Sequence, residues 1–311
     1  MSKPAQKIFP HLWFDTQAVE AAQFYSSIFP DSSITHKTVL RDIPSGDSEL
    51  VSFTVWGQHF VAISAGPLFK INPAISFIVN FDPLLFGFCN SAKTAAMETQ
   101  AMVWEQLAEN GTVMMPLDAY PFSERFGWVQ DRYGVSWQLI LSRPEGDRRP
   151  PIVPSLMFTG PNAGKAEQAR AFYLSVFGNS REGGLRRYPA GMDPEREGSV
   201  LFSDFMIENT WLAAADSARE HAFGFNEAIS FMISCDSQAE IDRYWDALNA
   251  DPEGGRCGWL KDRYGVSWQV VPAPLHDMLY GGPSEAVSAM MRVLLDMKKL
   301  DIASLEKAFR G

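Results

Sequence analysis

Two rhythms of apolar residues alternate along the chain, and their order is the same in both halves. A short apolar stretch at 11–14 leads into Ala21, Phe24, Tyr25 and Ile28 at helical spacing, and a stretch at 156–158 leads into Ala169, Phe172, Tyr173 and Val176. Period-two strands follow at 50–55 and 59–64, turning at Gly57, and at 200–207 and 211–214. A strand at 74–79 precedes a second helix at 99–109, as a strand at 228–233 precedes one at 237–248, where Ser237 and Glu240 have capping-box spacing. Final strands end at Trp137-Gln138-Leu139 and Trp268-Gln269-Val270. Each half therefore reads as two successive βαβββ units, and the fold class is α+β.

The two halves are copies. Gly127 to Gln138 and Gly258 to Gln269 share ten of twelve residues, Phe24-Tyr25-Ser26-Ser27-Ile28-Phe29 recurs as Phe172-Tyr173-Leu174-Ser175-Val176-Phe177, and Ile75-Ser76-Phe77 recurs as Ile229-Ser230-Phe231. The length of 311 residues suits two domains, each with its own core. The expected boundaries are 1–141, a Pro-rich linker at 142–151, 152–274, and a tail at 275–311. Extra residues in the first copy, near 81–97 and 112–124, contain Pro or Gly and read as excursions outside the common core. In the tail, Pro283-Ser284 reads as a helix start, and Val287, Met290, Met291, Leu294 and Leu295 form a helical stripe that packs on its own domain or joins two subunits as a homodimer.

Charge and composition remove several classes of partner. A formal net charge of −10 without a basic cluster argues against nucleic acid. No run approaches the ~20 apolar residues of a membrane span, and the N-terminus has no secretory pattern, so a cytoplasmic protein is expected. Cys89, Cys235 and Cys257 are too far apart for a metal pair and read as buried free thiols. Asp131 followed by Gly134, and Asp262 by Gly265, read as tight turns, which makes Arg132, Tyr133, Arg263 and Tyr264 parts of the fold rather than of the chemistry.

The segment Phe9-Pro10-His11-Leu12-Trp13-Phe14-Asp15, with Phe24-Tyr25 and Phe29-Pro30-Asp31-Ser32, Ala65-Gly66-Pro67 with Phe69 and Asn72, and both Asp-Arg-Tyr-Gly-Val-Ser-Trp-Gln motifs resemble PhnB-like proteins, the 3-demethylubiquinone-9 3-methyltransferase-type domains of the vicinal-oxygen-chelate (glyoxalase, bleomycin resistance, dioxygenase) superfamily. The resemblance spans about 7–141 and 152–272. It implies curved sheets forming a cup, with a site built from strands of two paired domains and, in the metalloenzymes, a divalent ion held by His, Glu or Gln. His11 matches a ligand position, whereas its counterpart in the second copy is Ser155. Gln138 and Gln269 stand where Glu is usual, and Ala74 and Ala228 where His is frequent. His59 offers an alternative through a different register.

The expected site is a cup lined by His11, Trp13, Gln138 and Gln269, with Trp137 and Trp268 packed against helices. His11 is the candidate catalytic residue, Trp13, Gln138 and Gln269 the candidate substrate contacts, and His11, Gln138 and Gln269 the candidate ligands of a single divalent metal, if any cofactor is used. The functions implied are a protein that binds or converts a small molecule, or a metal-dependent lyase, isomerase or dioxygenase on a vicinal-oxygen substrate. The family label of methyl transfer would need a Gly-rich strand-to-helix turn for a methyl donor, and no Gly pair here has that setting.

Overall fold

The computed structural model describes residues 6–41, 46–87, 91–143 and 148–311; Cys89 and linker residues 144–147 lie outside them. Four units follow one another. The first is β1 (Ile8–Phe14), α1 (Ala18–Ile28), β2 (Ser33–Leu40), β3 (Ser48–Val55) and β4 (Gln58–Ser64); the second is β5 (Ile75–Phe81), α2 (Ala92–Ala108), β6 (Thr112–Tyr120), β7 (Ser123–Gln130) and β8 (Ser136–Leu141). The third is β9 (Ile152–Phe158), α3 (Ala166–Val176), β10 (Arg181–Arg187), β11 (Val200–Ile207) and β12 (Thr210–Asp216). The fourth is β13 (Ile229–Cys235), α4 (Gln238–Leu248), β14 (Trp259–Lys261) and β15 (Ser267–Pro272), before the tail helices α5 (Pro274–Gly281), α6 (Ser284–Leu295) and α7 (Ile302–Arg310).

The βαβββ order thus holds three times, and the fourth unit has one strand fewer among the described residues. Residues 112–124, expected as an excursion, are instead strand β6 and its hairpin to β7, with register shifts that let the pair twist. The second copy simply lacks that strand. Helix α4 starts at the predicted cap, Ser237 accepting from the Glu240 N–H at 3.3 Å, but the Glu240 carboxylate accepts from Asp236 N rather than closing the box on Ser237.

The sheets do not follow the repeats. One has the order β14-β15-β13-β1-β4-β3-β2, the other β10-β11-β12-β9-β5-β8-β7-β6. Each therefore joins the first unit of one copy to the second unit of the other. The seams match: β1 runs antiparallel to β13 with Leu12 opposite Ile229, and β5 runs antiparallel to β9 with Ile75 opposite Leu156. Trp13 N donates to Ala228 O and Met157 N to Ala74 O, both at 2.8 Å. We call the sheet containing β1 sheet A and the sheet containing β9 sheet B.

One continuous core holds both sheets. In α1 the buried residues Ala18, Ala21, Ala22 and Tyr25 repeat at i, i+3, i+4 and i+7, forming an apolar stripe against the sheet, and Ala166, Ala169 and Tyr173 do the same in α3. Within this core lie two buried carboxyls. Asp131 Oδ1 accepts from Tyr133 N at 2.8 Å and Val135 N at 3.0 Å, closing the β7–β8 turn, while Oδ2 accepts from Tyr25 Oη and Trp137 Nε1, each at 2.8 Å. Asp262 repeats all four bonds with Tyr264 N, Val266 N, Tyr173 Oη and Trp268 Nε1. The turns need the left-handed backbone of Gly134 (φ +87°) and Gly265 (φ +88°). Trp137 and Trp268 are fully buried against α1 and α3, through Tyr25 and Phe29 and through Tyr173 and Phe177.

The tail packs within the chain. Leu275, Met290, Met291, Leu294, Leu300 and Leu305 share one buried cluster with Phe9, Leu40, Leu50, Val61, Ile63, Ala65 and Val271 of sheet A. These strand residues alternate with the core-facing Ile8, Leu12, Val51, Phe53 and Val270, so the tail covers the concave side of sheet A. Among the described residues, no helix is long and apolar enough to cross a membrane.

Asp131→Asn replaces an acceptor by an NH2 group among four donors and is expected to lower stability by about 2–4 kcal/mol, against about 1 kcal/mol for Tyr25→Phe. Urea denaturation would show this as a lower midpoint at unchanged slope. An Asn variant within ~0.5 kcal/mol of the parent would refute the role given to the carboxyl.

Candidate functional site

The four residues expected in one cup divide between two. His11, Trp13 and Gln269 face the concave side of sheet A, whereas Gln138 belongs to β8 of sheet B. The division follows from the crossed pairing: the last strand of the first copy joins the third unit, and β1 joins the fourth. Alternation correctly places each side chain on a face, but a face says nothing of which strands become neighbours.

In sheet A, His11 sits opposite Ser230 on β13 and Val61 on β4. Its ring meets Trp259 edge-on at 5.4 Å, and Trp259 lies 6.3 Å from Trp13, which itself packs on Phe69 and donates from Nε1 to Gly66 O at 2.8 Å. His11 is 4% exposed and its Nδ1 has no partner. Burial without a compensating charge pushes its pKa down to about 3, so the ring is neutral at physiological pH. Gln269 Nε2 donates to Ser230 Oγ at 2.9 Å, both groups buried.

Sheet B holds the counterpart of this arrangement with other residues. Ser155 stands opposite Ser76 and Ala213, and Gln138 Nε2 donates to Ser76 Oγ at 2.8 Å. Trp128 Nε1 donates to Ser136 Oγ at 2.7 Å. The matching pair in sheet A is broken: Trp259 turns toward His11, and Ser267 Oγ has no partner. The concave cluster of sheet B consists of Ile78, Val153, Trp211 and Ala213 with Ile140 and Met206, all from its own strands. In the described residues the cluster includes no helix, so nothing equivalent to the tail belongs to it.

Sequence reasoning missed a charged group at this cup. Arg149, from the linker, places its guanidinium 3.7 Å from the Trp211 ring centre and donates from Nε to Asp204 Oδ2 at 2.5 Å. Asp204 lies opposite Ala213 and also accepts from Gly184 N through Oδ1. No local pattern announces this pair, because its members sit in the linker and on β11. A cavity of about 550 Å3 opens beside it where the copies meet, lined by Thr54, Phe60, Leu85, Pro154 and Glu208 as well as Arg149 and Trp211.

Neither cup offers the donors of a tight divalent site. Sheet A presents one neutral imidazole, a serine hydroxyl and an amide, and sheet B two hydroxyls and an amide, without a free carboxylate in either set. No group of three or more His, Cys, Asp or Glu suited to a metal occurs among the described residues. The residues present do not fit such an ion.

Comparison with known proteins gives a consistent picture. The family model described as 3-demethylubiquinone-9 3-methyltransferase matches residues 6–140 and again 150–271. A PhnB protein from Bacillus cereus, carrying that same description, is 35% identical over 44% of this chain and 100% of its own, with a TM-score of 0.37. A mutant of glyoxalase I from Zea mays shares 12% identity over 88% of this chain and 94% of its own at a TM-score of 0.50, a likeness of fold. No match was found among curated proteins.

If burial alone sets the His11 pKa, its ring resonances in NMR stay those of neutral imidazole from pH 8 down to about 4 and move only near 3. A midpoint close to 6.5 would mean that water reaches the ring.

Proposed function

Because this chain belongs to the 3-demethylubiquinone-9 3-methyltransferase family, the PhnB-like branch of the glyoxalase-type fold, with both copies matched, we propose that it binds a small, largely apolar molecule in the cup of sheet B, without a metal. The observation that carries this is the asymmetry of the cups. Six apolar tail residues fill the concave side of sheet A, while the cluster in sheet B is built from strands alone. Aromatic and aliphatic walls with a few placed polar groups are what recognise such a ligand. Trp128 and Trp211 supply the walls, and Gln138, Ser76 and Ser136 the polar contacts.

A metal-dependent reaction at His11 has weaker support. The donors around it are neutral, and an imidazole whose pKa lies near 3 is a poor base at neutral pH. Methyl transfer has less, because both sheets are mixed rather than doubly wound and parallel, and the turn from β9 to α3, which contains Gly160 and Gly164, lacks the G-x-G-x-x-G spacing.

The test is a titration with a neutral aromatic probe, N-phenyl-1-naphthylamine, followed by its fluorescence. Gln138→Ala and Trp128→Ala should each weaken binding at least ~tenfold, about 1.4 kcal/mol, while His11→Ala and added EDTA leave it unchanged. Binding that follows His11, or needs a divalent ion, would move the site to sheet A and defeat the proposal.

A further inference from the structure

The tail meets sheet A through a cluster of imidazoles that neither the family match nor the binding proposal uses. His276 of α5 packs edge-on against His36 of β2 with ring centres 4.8 Å apart, and lies 6.2 Å from His59 of β4. Tyr280, one turn along α5, packs at a tilt against both His36 at 5.2 Å and His276 at 4.6 Å. His59 in turn packs on Phe9 of β1 at 4.5 Å, inside the same buried cluster as the rest of the tail. Three rings from three elements thus meet where α5 closes over the sheet.

Helix α5 is less deeply buried than α6. Leu275 is its one buried residue, with Met278, Leu279 and Tyr280 partly buried against the same cluster, whereas α6 contributes Met290, Met291 and Leu294. It ends at Gly281-Gly282, where a Cβ at Gly281 would meet nothing within 4 Å while Gly282 lies tight against Phe309 of α7, so the chain is open at Gly281 and held from Gly282 onward. Lifting α5 alone exposes far less apolar surface than lifting all three helices.

We propose that His36, His59 and His276 form an acid-sensitive latch: with neutral rings α5 lies on sheet A, and proton uptake by the cluster lifts α5 from the edge of the cup while α6 and α7 stay in place. The imidazole is the side chain that changes charge between pH 5 and 8, and a proton on His59 must be held away from water beside two other imidazoles while α5 is seated. The titratable groups meeting there are His36 from β2, His59 from β4, and His276, Asp277 and Tyr280 from α5; β3 adds the hydroxyls of Ser52, opposite His36, and Thr54, opposite His59, and the cavity lined by His59 is also lined by Arg149 and Glu208. Asp277, its side chain 93% exposed, lies 3.3 Å from His276.

The direction is set by His59. Burial, then the neighbouring His276 and His36, push its pKa down to about 4 when the helix is seated, below the ordinary 6.5. The neutral ring therefore favours the seated helix above pH 6.5, and that advantage is lost as pH falls toward 4. The latch is independent of where a ligand sits, so it stands or falls separately from the binding proposal.

Hydrogen–deuterium exchange on the full chain, read by mass spectrometry from pH 8 to 4.5 and corrected for intrinsic rates, tests it. Protection of residues 274–281 should fall by up to ~tenfold per pH unit below about 6.5, while β1, β4, β13 and α6 keep theirs. A His59→Gln variant should lose most of this slope, and a His36→Gln, His276→Gln double variant a smaller part of it. Protection of α5 that ignores pH, that falls together with the sheet strands, or that keeps its slope in the His59 variant would overturn the latch.

Discussion

Everything in this fold leans on a carboxyl group placed where water cannot reach. Asp131 gathers a helix tyrosine, a strand tryptophan and two turn amides, and because α1 packs on sheet A while the turn belongs to sheet B, one side chain ties the two sheets together. Burial pushes its pKa up to about 6, and the four donors favour the anion, so that at neutral pH it is an ionised acceptor in a dry core. Asp262 ties α3 to the β14–β15 turn by the same bonds, and its pKa is raised for the same reason. Residues far apart in sequence, Tyr25 with Asp131 and Tyr173 with Asp262, are thereby held together without contributing to any site.

That constraint explains what was legible in the sequence. The motif running from Asp131 to Gln138 repeats almost unchanged because nearly every position in it has a packing or hydrogen-bonding duty, and such duties leave identical residues in both copies. The strands that border the central ones were legible for a related reason, since β3, β4, β11 and β12 alternate between a core and a cup. Strands β2 and β10 escaped notice: they are sheet edges, and their exposed, polar residues such as Lys37, Arg181 and Arg187 give no period-two contrast. Strand β6 reads as an insertion in the sequence because the second copy has no counterpart to it. The site was legible only by face. His11, Gln138 and Gln269 all point inward as alternation demands, yet the separation of Gln138 from His11 depends on long-range pairing, which leaves no local trace.

The two cups show what duplication permits once the scaffold is fixed. Ser76 with Gln138 and Ser230 with Gln269 keep the same hydrogen bond on the same strand positions. Around that shared bond the residues have drifted: His11 faces Ser155 across the relation between copies, His59 corresponds to Trp211, and Trp259 has left its serine to pack on His11. The tail adds the largest difference, closing one cup with methionine and leucine while the other is lined by strands. Loops at the junction remain symmetric, with Asn72 Nδ2 reaching Gly224 O and Asn226 Nδ2 reaching Lys70 O. Divergence is concentrated inside the cups and is nearly absent at the ties.

The seam between β1 and β13 also sets an order of events during synthesis. Ile8 lies opposite Ile233, so β1 leaves the ribosome more than two hundred residues before its neighbour exists. At ~5–20 residues per second that delay is on the order of ten to forty seconds. Throughout it the β1 edge has a single partner, β4, and the apolar face later sealed by the tail is bare, since α5 to α7 follow β13 in the chain. A nascent chain with an open strand edge and an unsealed apolar bowl is exposed to aggregation until α5 to α7 have been made.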